Sequence, residues 1–196
     1  MAFSQALYAQ TVNFEGMVGD KNYFYQHAIG VKLNGTGKLM FTHSASLHAM
    51  YDDKEKNELM SQSYLTYPLN KWLRIAAGTF YATKPGINPA LALNFRYVAK
   101  DFILLFNPRI DAKSKGSFEG MLFSEYMPRI NNHLLLYTRF QLMSNYTGSK
   151  HNRSYQNFRI GLTKDNLSFG LALNIDQRGG EMQTQHNLGF FAKHQF

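Results

Sequence analysis

Apolar and polar side chains take turns along almost the whole chain. In 167–176, Leu167, Phe169, Leu171, Leu173 and Ile175 alternate with Ser168, Gly170, Ala172, Asn174 and Asp176. In 87–99, Leu91, Leu93, Phe95 and Tyr97 stand opposite Ala92, Asn94 and Arg96. Successive side chains of a strand point to opposite faces, so this period of two predicts strands with one apolar face. The predicted strands are 7–18, 22–33, 38–51, 58–69, 72–83, 87–99, 102–112, 118–130, 133–145, 154–164, 167–176 and 185–196. No helical period intervenes and no linker divides the chain, so residues 1–196 are expected to form one domain.

The connections between these segments differ in character. "NGTG" at 34–37, "NK" at 70–71, "KD" at 100–101, "NN" at 131–132 and "DN" at 165–166 read as tight turns. "DDKEKNE" at 52–58, "AKSKGS" at 112–117, "YTGSKHNRS" at 146–154 and "DQRGGEMQT" at 176–184 read as longer polar loops. Short turns at one end and longer loops at the other predict an all-β, antiparallel, up-and-down transmembrane β-barrel of about twelve strands. An even strand count puts both chain ends on the short-turn side. A soluble barrel would reverse the polarity of the two faces, and alternation alone does not separate the two. Strands of 10–14 residues suit a tilted membrane crossing, and arginines on several polar faces suit a wet interior.

Composition sharpens the choice. Only 17% of residues are charged, against roughly 25% in ordinary soluble domains, and aromatics reach 15%. Mean hydropathy is still polar at −0.34, as alternation requires. The chain has no cysteine, which removes disulfides and thiolate metal sites. Its seven histidines show no ligand spacing, so neither metal nor cofactor is expected, and no nucleic-acid partner. "AFSQA" near the start resembles the end of a secretory signal, yet the charged and hydrophobic parts of one are missing.

The final stretch, "QHNLGFFAKHQF", places Leu188, Phe190, Ala192, His194 and Phe196 on one face. With its terminal Phe196, it resembles the closing strand of Gram-negative outer-membrane β-barrels. That resemblance implies a bacterial outer-membrane location, contact with outer-membrane lipid, and recognition of Phe196 by the barrel-insertion machinery. His194 departs from the pattern, which favours an apolar or aromatic residue there.

The polar faces carry the candidate lumen. Counting back from the turns places Arg74 opposite Arg96, Arg139 near Arg159, and Glu125 near Arg139. Glu125, Arg139 and Arg159 are thus expected to cluster at mid-height, while Arg74 and Arg96 have no acid on adjoining strands. Lys32, Lys38, Arg74, Arg96, Arg129 and Lys193 fall toward the short-turn end. Glu15, Glu58, Asp111, Glu119 and Asp176 fall toward the long-loop end, together with Arg109. Such charges can simply brace a small barrel, or line an anion-favouring pore. In strand number, strand length and inward arginines the chain resembles the small twelve-stranded porins for acidic oligosaccharides. The resemblance implies a narrow passive channel for small anionic solutes such as acidic sugars. The alternative is a non-conducting accessory subunit of a membrane complex.

"FTHSASLHAM" offers histidine and serine together, but His43 and Ser44 point to opposite faces. Ser46 and His48 share the inward face without an acid on their own strand to orient the histidine, so no catalytic residue is assigned. His27, His43, Ser61 and Ser63 instead fall on the outward face, and the tight turn at 34–37 places His27 opposite His43. Polar groups facing lipid are costly. They mark a candidate patch on strands 2–4 for a homo-oligomer or another membrane partner.

Overall fold

A computed structural model describes residues 11–33, 38–84, 86–112 and 115–196. They form twelve strands: β1 (Thr11–Gly19), β2 (Asn22–Lys32), β3 (Met40–Met50), β4 (Glu58–Pro68), β5 (Leu73–Ala82), β6 (Gly86–Val98), β7 (Phe102–Asp111), β8 (Ser117–Tyr126), β9 (Leu135–Thr147), β10 (Lys150–Lys164), β11 (Leu167–Arg178) and β12 (Gln183–Gln195). Each pairs antiparallel with its sequence neighbours. β1 pairs with β12 from Asn13↔Gln195 to Gly19↔Gly189, which closes the barrel. The N–H of Phe196 donates to the Val12 carbonyl at 2.9 Å, and its ring meets Phe14 edge-on with centroids 5.8 Å apart. Closure gives every strand a partner on both sides.

The two faces follow the alternation. Leu91, Ile110, Phe118, Ile160, Phe169, Leu171, Leu188 and Phe190 lie exposed on the outer wall. Glu15, Arg109, Glu125, Arg139, Asn157, Arg159, Asn174, Asn187 and Lys193 are buried inside. A soluble barrel has the opposite polarity. Two apolar clusters also pack inside, one of Met17, Phe24, Tyr137, Ala172 and Phe191, the other of Tyr64, Ala76, Ala90 and Ala92 against Phe80.

The wall bends sharply where glycines face inward. Gly161 pairs with Gly170 across β10 and β11. A Cβ on either would collide with the backbone of the other's strand, at Phe169 and Ile160. A Cβ on Gly78 of β5 would strike Ser63 and Tyr64 of β4. Glycine is what lets neighbouring backbones fold so closely at a barrel corner.

Several boundaries differ from the sequence reading. The start of strand 1, residues 7–10, and the "NGTG" turn lie outside the described residues. β8 stops at Tyr126, because Pro128 has no N–H to offer a ladder. Pairing resumes at a single bridge, Arg129↔Leu135, across a turn in which the Asn131 side chain accepts from the N–H groups of His133 and Leu134. The polar stretch 146–154 is mostly strand rather than loop. β9 and β10 extend through it to a two-residue connection, where Gly148 has φ 58°. Asn152 bonds Asn145 and Thr147, and Ser154 bonds Ser144, so these polar side chains satisfy one another. The expected contrast of short turns and long loops is therefore absent among the described connections. The 127–134 connection, at the end where β1 begins and β12 finishes, is longer than most at the opposite end. We call the first the terminal end and the second the distal end.

Candidate functional site

The lumen charges form separate groups. At the distal end Arg109 is held by Asp111 (Nε to Oδ1, 2.7 Å) and Glu119 (Nη1 to Oε1, 2.8 Å). Its guanidinium lies 3.8 Å above the Phe80 ring, and Ser117 donates to Asp111 at 2.5 Å. A second distal group crosses the lumen. Arg153 of β10 donates to Asp176 of β11 through Nε and Nη2, at 2.7 and 3.0 Å. Its Nη1 reaches Glu58 Oε2 of β4 at 2.5 Å. Arg178 reaches the same Glu58 oxygen at 2.8 Å. β4 and β10 are six strands apart in a ring of twelve, on opposite walls.

At mid-height, Arg139 and Arg159 stand directly opposite each other on β9 and β10. Glu125 lies opposite Arg139, as the register predicts. The acid that neutralises the arginines, however, is Glu15 of β1. It takes the Arg139 guanidinium in a two-pronged contact and Arg159 Nε at 3.0 Å. Arg159 also donates to Asn174 at 2.7 Å. Glu125 instead takes Lys193 at 2.6 Å and the Tyr137 hydroxyl at 2.8 Å. Glu15 thus belongs to the central cluster rather than to the distal acids, because it meets charges from strands three and four places away around the ring. The charges are almost completely removed from water, so each depends on its partners. Breaking such a buried pair costs several kcal/mol even where forming it gains little.

The terminal end lacks this balance. Arg74 pairs with Asn94 rather than Arg96. The N–H of Arg96 donates to the Trp72 carbonyl, so the register differs from expectation by two residues and the arginines stand diagonally. Counting from a loop fixes parity, but steps of two remain open. Arg74 Nη1 meets the Met40 sulfur at 3.3 Å. Among the described residues neither Arg74 nor Arg96 has an acidic partner, nor have Lys32, Lys38 and Arg129.

On the outer wall the polar patch is continuous. His43 pairs with Ser63 and Ala45 with Ser61. His43 Nδ1 and Ser63 Oγ are hydrogen-bonded at 2.8 Å. His27 sits opposite Ala45 instead of His43, again a step of two, but the histidine rings still approach to 5.1 Å. Looking for histidine and serine on one strand misses this cross-strand pair. Among the described residues no carboxylate contacts it.

No protein-family model and no curated protein sequence matches the chain. Solved structures do resemble it, and among them are porins of the outer-membrane barrel class. The KdgM porin aligns over 95% of this chain and 99% of its own, with TM-score 0.53 and 10% identity. The NanC porin aligns over 95% and 98%, with TM-score 0.51 and 12% identity. The KdgM porin in complex with disordered oligogalacturonate gives TM-score 0.51 at 12% identity, over 95% of this chain and 99% of that one. At these identities the likeness is one of fold: a closed, antiparallel, twelve-stranded transmembrane barrel.

Proposed function

We propose that the protein is a narrow passive channel of a bacterial outer membrane that favours small anionic solutes such as acidic sugars. The observation that carries this is the sorting of charge along the lumen. From the distal end to mid-height, Arg109, Arg139, Arg153, Arg159, Arg178 and Lys193 are matched by Glu15, Glu58, Asp111, Glu119, Glu125 and Asp176. The distal acids therefore present no net negative barrier. The cations that have no acidic partner among the described residues, Arg74 and Arg96 foremost, lie at the terminal end. A solute meets a neutral entrance and then a positive exit, which attracts anions. The shared fold with a porin solved with oligogalacturonate supports a solute of this class. Reversal potentials of the purified barrel in planar bilayers under a KCl gradient test the reading: anion preference is expected, and cation preference overturns it.

A second reading rests on the contacts that cross the lumen and on the outer patch. An accessory barrel braced by Glu15, Glu58 and their arginines would conduct nothing. It would meet a second copy or another membrane protein through His27, His43, Ser61 and Ser63 on β2–β4. A barrel that inserts without conducting, and extracts as part of a larger assembly, favours this reading. In both readings Phe196 closes the wall and serves the barrel-insertion machinery. Loss of Phe196 is then expected to lower insertion, and normal outer-membrane levels would count against that role.

A further inference from the structure

Glu58 is a carboxylate delivered by one wall to two arginines of the opposite wall. Arg153 and Arg178 converge on a single oxygen, Oε2, at 2.5 and 2.8 Å. Both arginines are also anchored at home: Arg153 grips Asp176 with two nitrogens, and Arg178 Nε donates to Asp176 Oδ2 at 2.8 Å. Asp176 is one strand away from Arg153 and two residues from Arg178. The arginines are therefore fixed whether or not Glu58 is present. Glu58 is held differently. It is the first residue of β4, directly after the exposed 51–57 connection, and among the described residues its side chain has no hydrogen bond on its own wall. Without Glu58 the site holds two guanidinium groups and one carboxylate, a net positive cradle of the shape that takes one more carboxylate.

We infer that Arg153, Arg178 and Asp176 form a carboxylate-binding site at the distal mouth, that Glu58 is its built-in occupant, and that a solute carboxylate opens the lumen by displacing it. This rests on the channel reading and adds the mode of entry. Glu58 bridges the lumen only while it is bound. A solute acid that takes its place frees the opposite wall and at the same moment becomes bound at the entrance. Neutral solutes cannot make the exchange.

The test compares wild type with Glu58→Gln, which keeps the side-chain shape and removes the charge. Folding is checked by the heat-dependent gel shift of intact barrels. D-glucuronate, with D-glucose as control, is titrated into the detergent-solubilised protein by calorimetry, and single-channel conductance is recorded in parallel. Expected are a higher conductance for E58Q and glucuronate binding tighter by about tenfold, since a charged competitor is gone. Adding Arg178→Gln, at a partly exposed position, should reverse that gain. A wild-type barrel that conducts anions, with E58Q changing neither conductance nor affinity, overturns the inference and leaves the channel standing. So does a gain in conductance without a gain in affinity, because Glu58 is then only an obstruction. Tighter glucuronate binding by an E58Q that conducts nothing keeps the site and removes the channel. No conductance and no binding in any form removes both. Should E58Q not fold, Glu58→Asp, too short to span, makes the same comparison.

Discussion

The two walls of the lumen are built differently. Along β8–β12 and β1 the inward positions at mid-height hold Glu125, Tyr137, Arg139, Arg159, Asn174, Phe191, Lys193 and Glu15, all buried and nearly all bonded to one another. Along β3–β6 most inward positions are small, Thr42, Ser44, Ser46, Ala76, Gly78, Ala90 and Ala92, with Met60, Gln62, Tyr64 and Phe80 of β4 and β5 the larger side chains among them. Long side chains anchored on one wall leave room only against the other. In the channel reading proposed above, the ion path is therefore expected along β3–β6 rather than along the barrel axis. A twelve-stranded barrel is wide enough to leave water inside but narrow enough for side chains to reach across.

The sharpest way to break this comparison is at Glu15. Glu15→Ala strands Arg139 and Arg159 against each other in a dry interior and is expected to lose about 3–5 kcal/mol. Ser46→Ala on the opposite wall should stay within about 0.5 kcal/mol. Urea unfolding in lipid vesicles reads both, and similar losses would mean that the walls do not differ. Next is the path itself. Ser46→Trp should lower single-channel conductance markedly, while a barrel indifferent to bulk at that position conducts elsewhere. The double change Arg74→Ala with Arg96→Ala should shift the reversal potential toward non-selectivity. It should leave the fold as stable or slightly more so, since nearby like charges repel; unchanged selectivity would place both arginines off the conducting path. The smallest effect is expected outside. Replacing His27 and His43 with Leu gives up the bond to Ser63 but suits lipid, so barrel stability should move by no more than about 1 kcal/mol. If the patch binds a partner, native extraction should release a smaller particle from the double variant. A wild type that extracts only as a monomer removes the partner.

The sequence reading and the structure agree where information is local. Alternation in 167–176 yields β11 and its two faces directly. Parity likewise puts Arg139 opposite Arg159 and Glu125 beside them. The reading fails at 150–153, because Lys150, His151, Asn152 and Arg153 are polar on both faces and look like loop. It slips by two at Arg74 and His27, because turn length is uncertain by that much. It misses the Glu15 and Glu58 contacts for a different reason. Register describes neighbours along the wall, whereas these acids act across the lumen, where relative height depends on the tilt of the whole barrel. One clue was present: Arg139 facing Arg159 demands an acid from somewhere, and Glu15 has the right parity.

The inward glycines have a geometric consequence. Strand number and tilt set the perimeter of a barrel, but not the area it encloses. For a given perimeter a circle encloses the most, and every corner encloses less. Close approaches of this kind fall at Gly78, at Gly161 with Gly170, and at Gly189 beside Gly19, so they can place corners in the outline without removing a strand. The chain can thus keep a wall of twelve strands and still enclose a cross-section nearer that of a smaller barrel. Residue choice at a few positions that touch no solute then tunes the width of the lumen.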